Sequence, residues 1–257
     1  MAHILTERRS DVLAITLNRP ERLNAAPPAM FDEIRAALEE LDGARCVLLL
    51  GAGRAFCSGA DVAGVMGAED AGAATHAALI GHYNPTLLAI AELGVPVVSA
   101  VRGPAAGIGC SLALAADFCI AASTAYFLQA FVNIGLVPDG GASWMLPRLI
   151  GKARALEMML LGERVPADKA RDWGMVYEVV HEDVVDSEGW RLAARLAAGP
   201  TVALGLMRRQ LHAGPASSYA EAMAREADHQ RAARNTADAI EGGKAFLEKR
   251  KPEFKGL

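Results

Sequence analysis

Cys46-Val47-Leu48-Leu49-Leu50 runs directly into Gly51-Ala52-Gly53-Arg54-Ala55-Phe56-Cys57-Ser58-Gly59-Ala60-Asp61. Five apolar residues without a polar interruption fit a strand buried on both faces, the pattern of parallel sheets in α/β proteins. The small residues that follow form a loop whose backbone a ligand can approach closely. The same design recurs further along. Val95–Val101 (VPVVSAV) is a second short apolar run, followed by Gly103-Pro104-Ala105-Ala106-Gly107-Ile108-Gly109 and a small-residue helix expected over Gly109–Ala116. Strand, loop and helix in repetition indicate an α/β core.

Working outward, Val12–Asn18 reads as a strand entering a turn at Arg19-Pro20-Glu21-Arg22. A helix is expected from about Pro27 to Leu41, with Phe31, Ile34, Leu38 and Leu41 on one face and prolines at its start. Asp117–Ala121 and Ala125–Leu128 read as further short strands, and Gly174–Val180 as a return segment. Helical patterns cover Ala153–Leu161, Ala167–Trp173, Trp190–Ala198, Val202–Ala213, Tyr219–Ala233 and Ala237–Lys251. The expected organisation is an α/β core over residues 1–195 carrying the site, then a helical region over 196–257.

The chain has 257 residues, enough for one large core. It is 52% hydrophobic but only 5% aromatic, because alanine and glycine supply much of the apolar fraction. The most apolar stretch, Val95–Ala122, is broken by Arg102, Pro104, Asp117 and several glycines. It therefore offers no run of about 20 apolar residues to span a bilayer. The charged start MAHILTERRSD lacks the apolar centre of a signal peptide, so a cytoplasmic location is expected. Cys46, Cys57, Cys110 and Cys119 lack the spacing of a disulfide or zinc framework and read as reduced thiols. The six histidines show no close metal-binding spacing, and no metal is expected. A net charge of −4 gives no basic footprint for nucleic acid.

Where a glycine-rich turn opens a helix, its unpaired N–H groups favour a developing negative charge. One N–H from each of the two loops, meeting at one oxygen, would form an oxyanion hole. Plain strand-to-helix turns are equally glycine-rich, so composition alone leaves both readings open. The segment Gly135-Leu136-Val137-Pro138-Asp139-Gly140-Gly141 places one carboxylate among apolar residues. Desolvation there would raise its pKa toward the range of a proton shuttle. The same residues also suit a turn former or helix cap.

Taken together and in this order, these blocks resemble the crotonase superfamily, the enoyl-CoA hydratase/isomerase family, over essentially the whole chain. Ile15–Ala25 (ITLNRPERLNA) is similar to the family's first CoA-contacting strand and turn, Gly51–Val62 to its FxxGxD loop, and Val101–Asp117 to its second oxyanion loop and helix. Ala153–Val180 and Phe246-Leu247-Glu248-Lys249-Arg250 match later blocks. The resemblance implies a crotonase (ClpP-like) fold, a repeated ββα spiral with a C-terminal helical trimerisation region, assembled as a homotrimer or a dimer of trimers. It assigns the oxyanion donors to the backbone N–H groups of Ala60 and Ile108. Ile108 departs from the small residue usual there, and its branched side chain should narrow the neighbouring space. The resemblance places coenzyme A, as part of an acyl-CoA substrate and with no prosthetic group, against Arg22, Ala25, Ala60, Asp61 and Val62. It adds Lys249 as a phosphate contact, from the same or a neighbouring subunit. Arg22 and Lys249 also fit ordinary solvated charges.

Hydratases of this family use two glutamates, and the resemblance places those positions at Ser111 and Phe131. Neither side chain exchanges protons at neutral pH. Asp139 falls where several family isomerases carry their single acid. The run from Ala130 to Arg148, with Tyr83-Asn84-Pro85, is most similar to the phenylacetate-pathway ring-expanding isomerases. The expectation is therefore an enoyl-CoA isomerase with Asp139 as shuttle, on a cyclic or aromatic-derived acyl group among others. Two alternatives stand beside it: a hydratase using Glu69, Asp70 or Asp139 to activate water, and a non-catalytic CoA or RNA binder.

Overall fold

The computed structural model describes residues 2–61 and 69–257. Val62 therefore lies outside the described residues. Six strands form the main sheet: β1 (Ile4–Arg9), β2 (Val12–Leu17), β3 (Cys46–Gly51), β4 (Val97–Val101), β6 (Phe118–Ala122) and β9 (Glu178–Val180), adjacent in that order. β1 and β2 make an antiparallel hairpin, Ile4 opposite Leu17, and every later pairing in this sheet is parallel. A smaller sheet joins β5 (Pro104–Ala106), β7 (Tyr126–Leu128) and β8 (Val165–Pro166).

The two sheets explain the spiral. β4 joins the main sheet, β5 crosses to the second, and α4 (Ile108–Leu114) returns. β6, β7 and α5 (Ala142–Leu156) repeat the turn. This is the repeated ββα crotonase fold. α1 (Pro28–Glu39) buries Met30, Phe31, Ile34 and Leu38, the face its periodicity predicts, and opens with a proline at its first position.

Three features differ from the sequence expectations. β1 is a strand although five of its six side chains are exposed and several are charged, because it is an edge strand and only Ile4 is buried. The segment Glu69–His82, too rich in alanine and glycine to show a pattern, contains α2 (Ala71–Ala78) and most of a π-helical turn at Leu79–Tyr83, and α3 (Asn84–Glu92) follows. The last helix, α10 (Ala237–Leu247), stops short of Lys251. Lys249 takes a left-handed φ of 54°, and Glu241 accepts hydrogen bonds from the Arg250 side chain and the Glu253 N–H, turning the tail back.

α6 (Ala167–Asp172) links β8 to β9. α7 (Val185–Ala197) packs on the main sheet, where a side chain at Gly189 would overlap Ala100 and Leu48. α8 (Thr201–Ala213) is fastened by the buried Arg208, which donates to Asp117 and to the carbonyls of Ile90 and Leu93. α9 (Tyr219–Arg234) begins with a capping box, Ser218 and Glu221 bonding each other's backbone N–H. None of the described helices is long and apolar enough to cross a membrane.

Candidate active site

β2, β3 and β4 lie side by side and parallel, so their carboxyl ends deliver three loops to one place. That is where ligands bind in parallel α/β sheets. The first loop turns sharply, with Leu23 and Asn24 both left-handed at φ 51° and 54°. Such angles disfavour side-chain-bearing residues, and here hydrogen bonds hold them. The buried Asn24 accepts from the Arg19 N–H and donates to the carbonyls of Ala52 and Ala55. One nitrogen of the Arg19 guanidinium bridges the Ala25 carbonyl and the Asp61 carboxylate, the latter at 2.8 Å.

The second loop runs between the first and third. Ser58 N–H donates to Leu23 O, Ala26 N–H to Gly59 O and Asp61 N–H to Ala26 O, pairing Ala26 with Ala60. On the other side, Cys57 N–H donates to Pro104 O and Ala106 N–H to Cys57 O, pairing Cys57 in parallel with Ala105. Beyond that pair Gly59 and Gly107 come close, a Cβ on Gly107 lying 3.9 Å from the Gly59 Cα, so Ala60 and Ile108 follow two adjacent glycines. Neither the Ala60 nor the Ile108 N–H is used by another described residue. Ile108 is the first residue of α4, whose turn is set by Gly107 at φ 53°. Gly109 is forced too, because a Cβ there would lie 2.6 Å from the Cβ and the carbonyl oxygen of Cys57.

Asp139 comes to this cluster through its neighbour. Gly140 (φ 59°) packs so closely that a Cβ would meet the Ile108 Cδ1 at 2.5 Å and the Ser111 Cβ at 2.8 Å. The Ser111 hydroxyl donates to the Asp139 carbonyl at 3.2 Å. The Oδ1 of Asp139 is buried without a hydrogen-bond partner among the described residues. Burial pushes this carboxyl up to about 6. The Tyr83 hydroxyl donates to Ala26 O at 2.8 Å, and burial together with the charges of Asp139, Cys57 and Asp61 raises its pKa. The Ile108 side chain, 1% exposed, fills the space against Gly140.

Of the sequence candidates, Arg22, Ala25, Ala60, Asp61, Ile108 and Asp139 thus lie on loops that pack together. Arg22 is exposed, and its carbonyl accepts from Ser58 Oγ. Lys249 is not brought there within one chain. Its tail is fastened by Arg45, which binds the Phe254 carbonyl and sits just before β3, at the opposite end of that strand from the 51–61 loop. Phe131 packs its ring edge 3.6 Å from where a Gly107 Cβ would be. Glu69 and Asp70 are exposed, and Asp70 is occupied in capping α2 through Ala73 N–H at 2.8 Å. All four thiols are buried and pushed up to about 12, so none is a ready nucleophile. Sequence reading missed Arg19 and Asn24 as the residues that hold the first loop. Their signal is the Asn-Arg-Pro…Asn-Ala spacing, which marks a tight turn needing side-chain support.

A family model, enoyl-CoA hydratase/isomerase, matches residues 7–257. Over its full length the chain is 40% identical to an Escherichia coli 1,2-epoxyphenylacetyl-CoA isomerase, covering 99% of that protein. It is 45% identical to a Rhodobacter capsulatus protein named as a probable enoyl-CoA hydratase, over 99% of this chain and 98% of that one. A solved structure assigned as an enoyl-CoA hydratase/isomerase from Mycobacterium abscessus superposes with a TM-score of 0.94 at 38% identity, covering 99% of this chain and all of that one.

Proposed function

The chain belongs to the enoyl-CoA hydratase/isomerase family, and from that premise we propose that it is an enoyl-CoA isomerase using Asp139 as its one proton shuttle. The thioester carbonyl oxygen sits between the N–H groups of Ala60 and Ile108. The Asp139 carboxylate takes a proton from one end of the allylic system, the dienolate charge moves onto the thioester oxygen, and the resulting carboxylic acid returns the proton at the other end. Such a donor pair acts where charge develops, each donor being worth about 3–4 kcal/mol of transition-state stabilisation. The CoA moiety lies along Arg22, Ala25, Ala60 and Asp61. Lys249 reaches its phosphates from a neighbouring subunit of a homotrimer or dimer of trimers.

The observation that carries this reading is the half-buried Asp139, with an unpartnered carboxylate oxygen and a pKa lifted to about 6, beside Ile108. A 1,3-proton shift requires one such group. Water addition in this family's usual manner requires two, and Ser111 and Phe131 stand where they would be. The similarity to an isomerase acting on 1,2-epoxyphenylacetyl-CoA favours a ring-derived acyl group. The relative named as a hydratase keeps a second reading open, in which Asp139 alone activates water.

The test follows 3-enoyl-CoA isomerisation and hydration of 2-enoyl-CoA side by side. The expected result is isomerisation with little hydration. Asp139→Asn is expected to bind acyl-CoA as before and to lose about 10²–10⁴-fold in turnover, the usual worth of a positioned proton-transfer group. Dominant hydration would overturn the isomerase assignment, and unchanged turnover in Asp139→Asn would remove that residue from the chemistry.

A further inference from the structure

The Tyr83 side chain is 5% exposed and sends its hydroxyl across to the first loop, where it donates to the Ala26 carbonyl at 2.8 Å. That carbonyl also accepts the Asp61 N–H at 2.9 Å, while the Ala26 N–H donates to Gly59 O at 2.8 Å. Ala26 thus bonds the peptides on both sides of Ala60, as the central residue of a parallel bridge does. The N–H of Ala60 itself is left facing away from Ala26, and no described residue uses it. Whatever holds the Ala26 carbonyl therefore helps to set the direction of that N–H.

Tyr83 is placed to hold it. It closes the π-helical turn Leu79–Tyr83, a rare distortion that recurs at functional sites. Its ring meets Phe31 of α1 edge to face, with centroids 4.7 Å apart. The neighbouring His82 ties the same turn to α1, its Nδ1 lying 2.6 Å from Oδ2 of Asp32. Burial, and then the charges of Asp139, Cys57 and Asp61, raise the pKa of the phenol, so the hydroxyl keeps its proton and stays a donor. A carbonyl oxygen has two lone pairs, and with Asp61 N–H and Tyr83 Oη both are taken. We propose that Tyr83 is a positioning residue of the oxyanion hole, its hydroxyl fixing the Ala26 carbonyl and through it the direction of the Ala60 N–H. This rests on the acyl-CoA reading above and adds a residue that acts on the thioester through the backbone.

Tyr83→Phe removes the hydroxyl and keeps the ring. Its kcat for 3-enoyl-CoA isomerisation is expected to fall about fivefold, the worth of one net hydrogen bond, with KM changed less than about twofold, the split of an interaction felt in the transition state. Infrared difference spectroscopy supplies a second readout, using hexanoyl-CoA labelled with carbon-13 at the thioester carbonyl, a saturated probe that cannot isomerise. Two N–H donors weaken that carbonyl bond, so its stretch should lie lower on the wild-type protein than in water and move back toward the free value in Tyr83→Phe. The control is Thr86→Val, one turn along α3, where a hydroxyl bound to the Phe31 and His82 carbonyls at 2.8 and 2.9 Å is lost without touching Ala26. It should lower the Tm and leave the stretch in place. The same stretch in Tyr83→Phe as in the wild type, or an equal displacement in Thr86→Val, would overturn the role of Tyr83 alone. A probe that binds the wild type with no lowering of its stretch, or does not bind at all, would overturn the acyl-CoA reading beneath it.

Discussion

With Asp139 as the proposed shuttle, a single carboxyl group sets the pH behaviour expected of this site. Asp139 is unpaired and desolvated, and its pKa moves to about 6 rather than falling as an ion-paired aspartate's would. As a base it works ionised, so kcat/KM for isomerisation is expected to rise with pH and reach half its plateau near 6. A profile flat from pH 5 to 8 would point to another base. The same shift has a cost in stability. The folded state holds the proton more tightly than the unfolded chain, whose aspartates titrate near 3.9. Below that range both states are protonated and nothing is lost. As pH rises, the folded state pays increasingly to ionise a buried group, and the penalty is complete above about 6. Asp139→Asn should therefore raise the Tm at pH 8 and leave it nearly unchanged at pH 4, measured by thermal unfolding at both values. Stability gained where activity is lost is what a strained functional group predicts.

The elements hold that group through contacts that leave almost no slack. Ile108 opens α4, supplies one of the two free N–H groups and presses its side chain against Gly140. Ile108→Ala keeps the N–H but empties a buried site. It is expected to cost about 2–5 kcal/mol in urea unfolding and to lower kcat more than it changes KM, because the Asp139 turn loses its support. Loss of stability with kcat untouched would show that the packing and the chemistry are independent. Much of this scaffold is legible in the sequence because β3 and β4 are buried on both faces, and a continuous apolar run followed by glycine is hard to misread. β1 escapes because an exposed edge strand carries charges, and α2 escapes because alanine marks no face. The loops bearing Ala60, Ile108 and Asp139 are legible from their glycines. The pairs Arg19–Asp61 and His82–Asp32 are not, since their members lie 42 and 50 residues apart and only the fold brings them together.

For the molecule as a whole, the C-terminal helices pose two separate questions: what fastens them, and what covers them. Arg208 and Asp117 answer the first. Their side chains are 6% and 17% exposed and bond at 2.6 Å, and Asp117 also accepts the Val97 N–H. Asp117→Ala leaves a buried guanidinium without its counter-charge, and a loss of about 3–5 kcal/mol in denaturant unfolding is expected. A loss below about 1 kcal/mol would place the pair with ordinary surface ion pairs. The second question concerns side chains that the chain leaves uncovered: Leu211 on α8, Tyr219 at the start of α9, and Phe246 and Leu247 closing α10, each at least 77% exposed. Exposed large apolar groups are candidates for burial on association, and the trimer proposed above is expected to cover these. Sedimentation velocity is expected to give a trimer or hexamer for the wild type and smaller species for Leu211→Glu combined with Phe246→Glu. The same experiment bears on Lys249, which within one chain is remote from Ala60 and Ile108. If it meets CoA across a subunit boundary, the dissociated double variant should bind CoA more weakly although every residue of the 60, 108 and 139 cluster is intact. Lys249→Ala should then weaken CoA binding in the assembled protein and change nothing in the dissociated one. Equal effects in both would return Lys249 to the solvent.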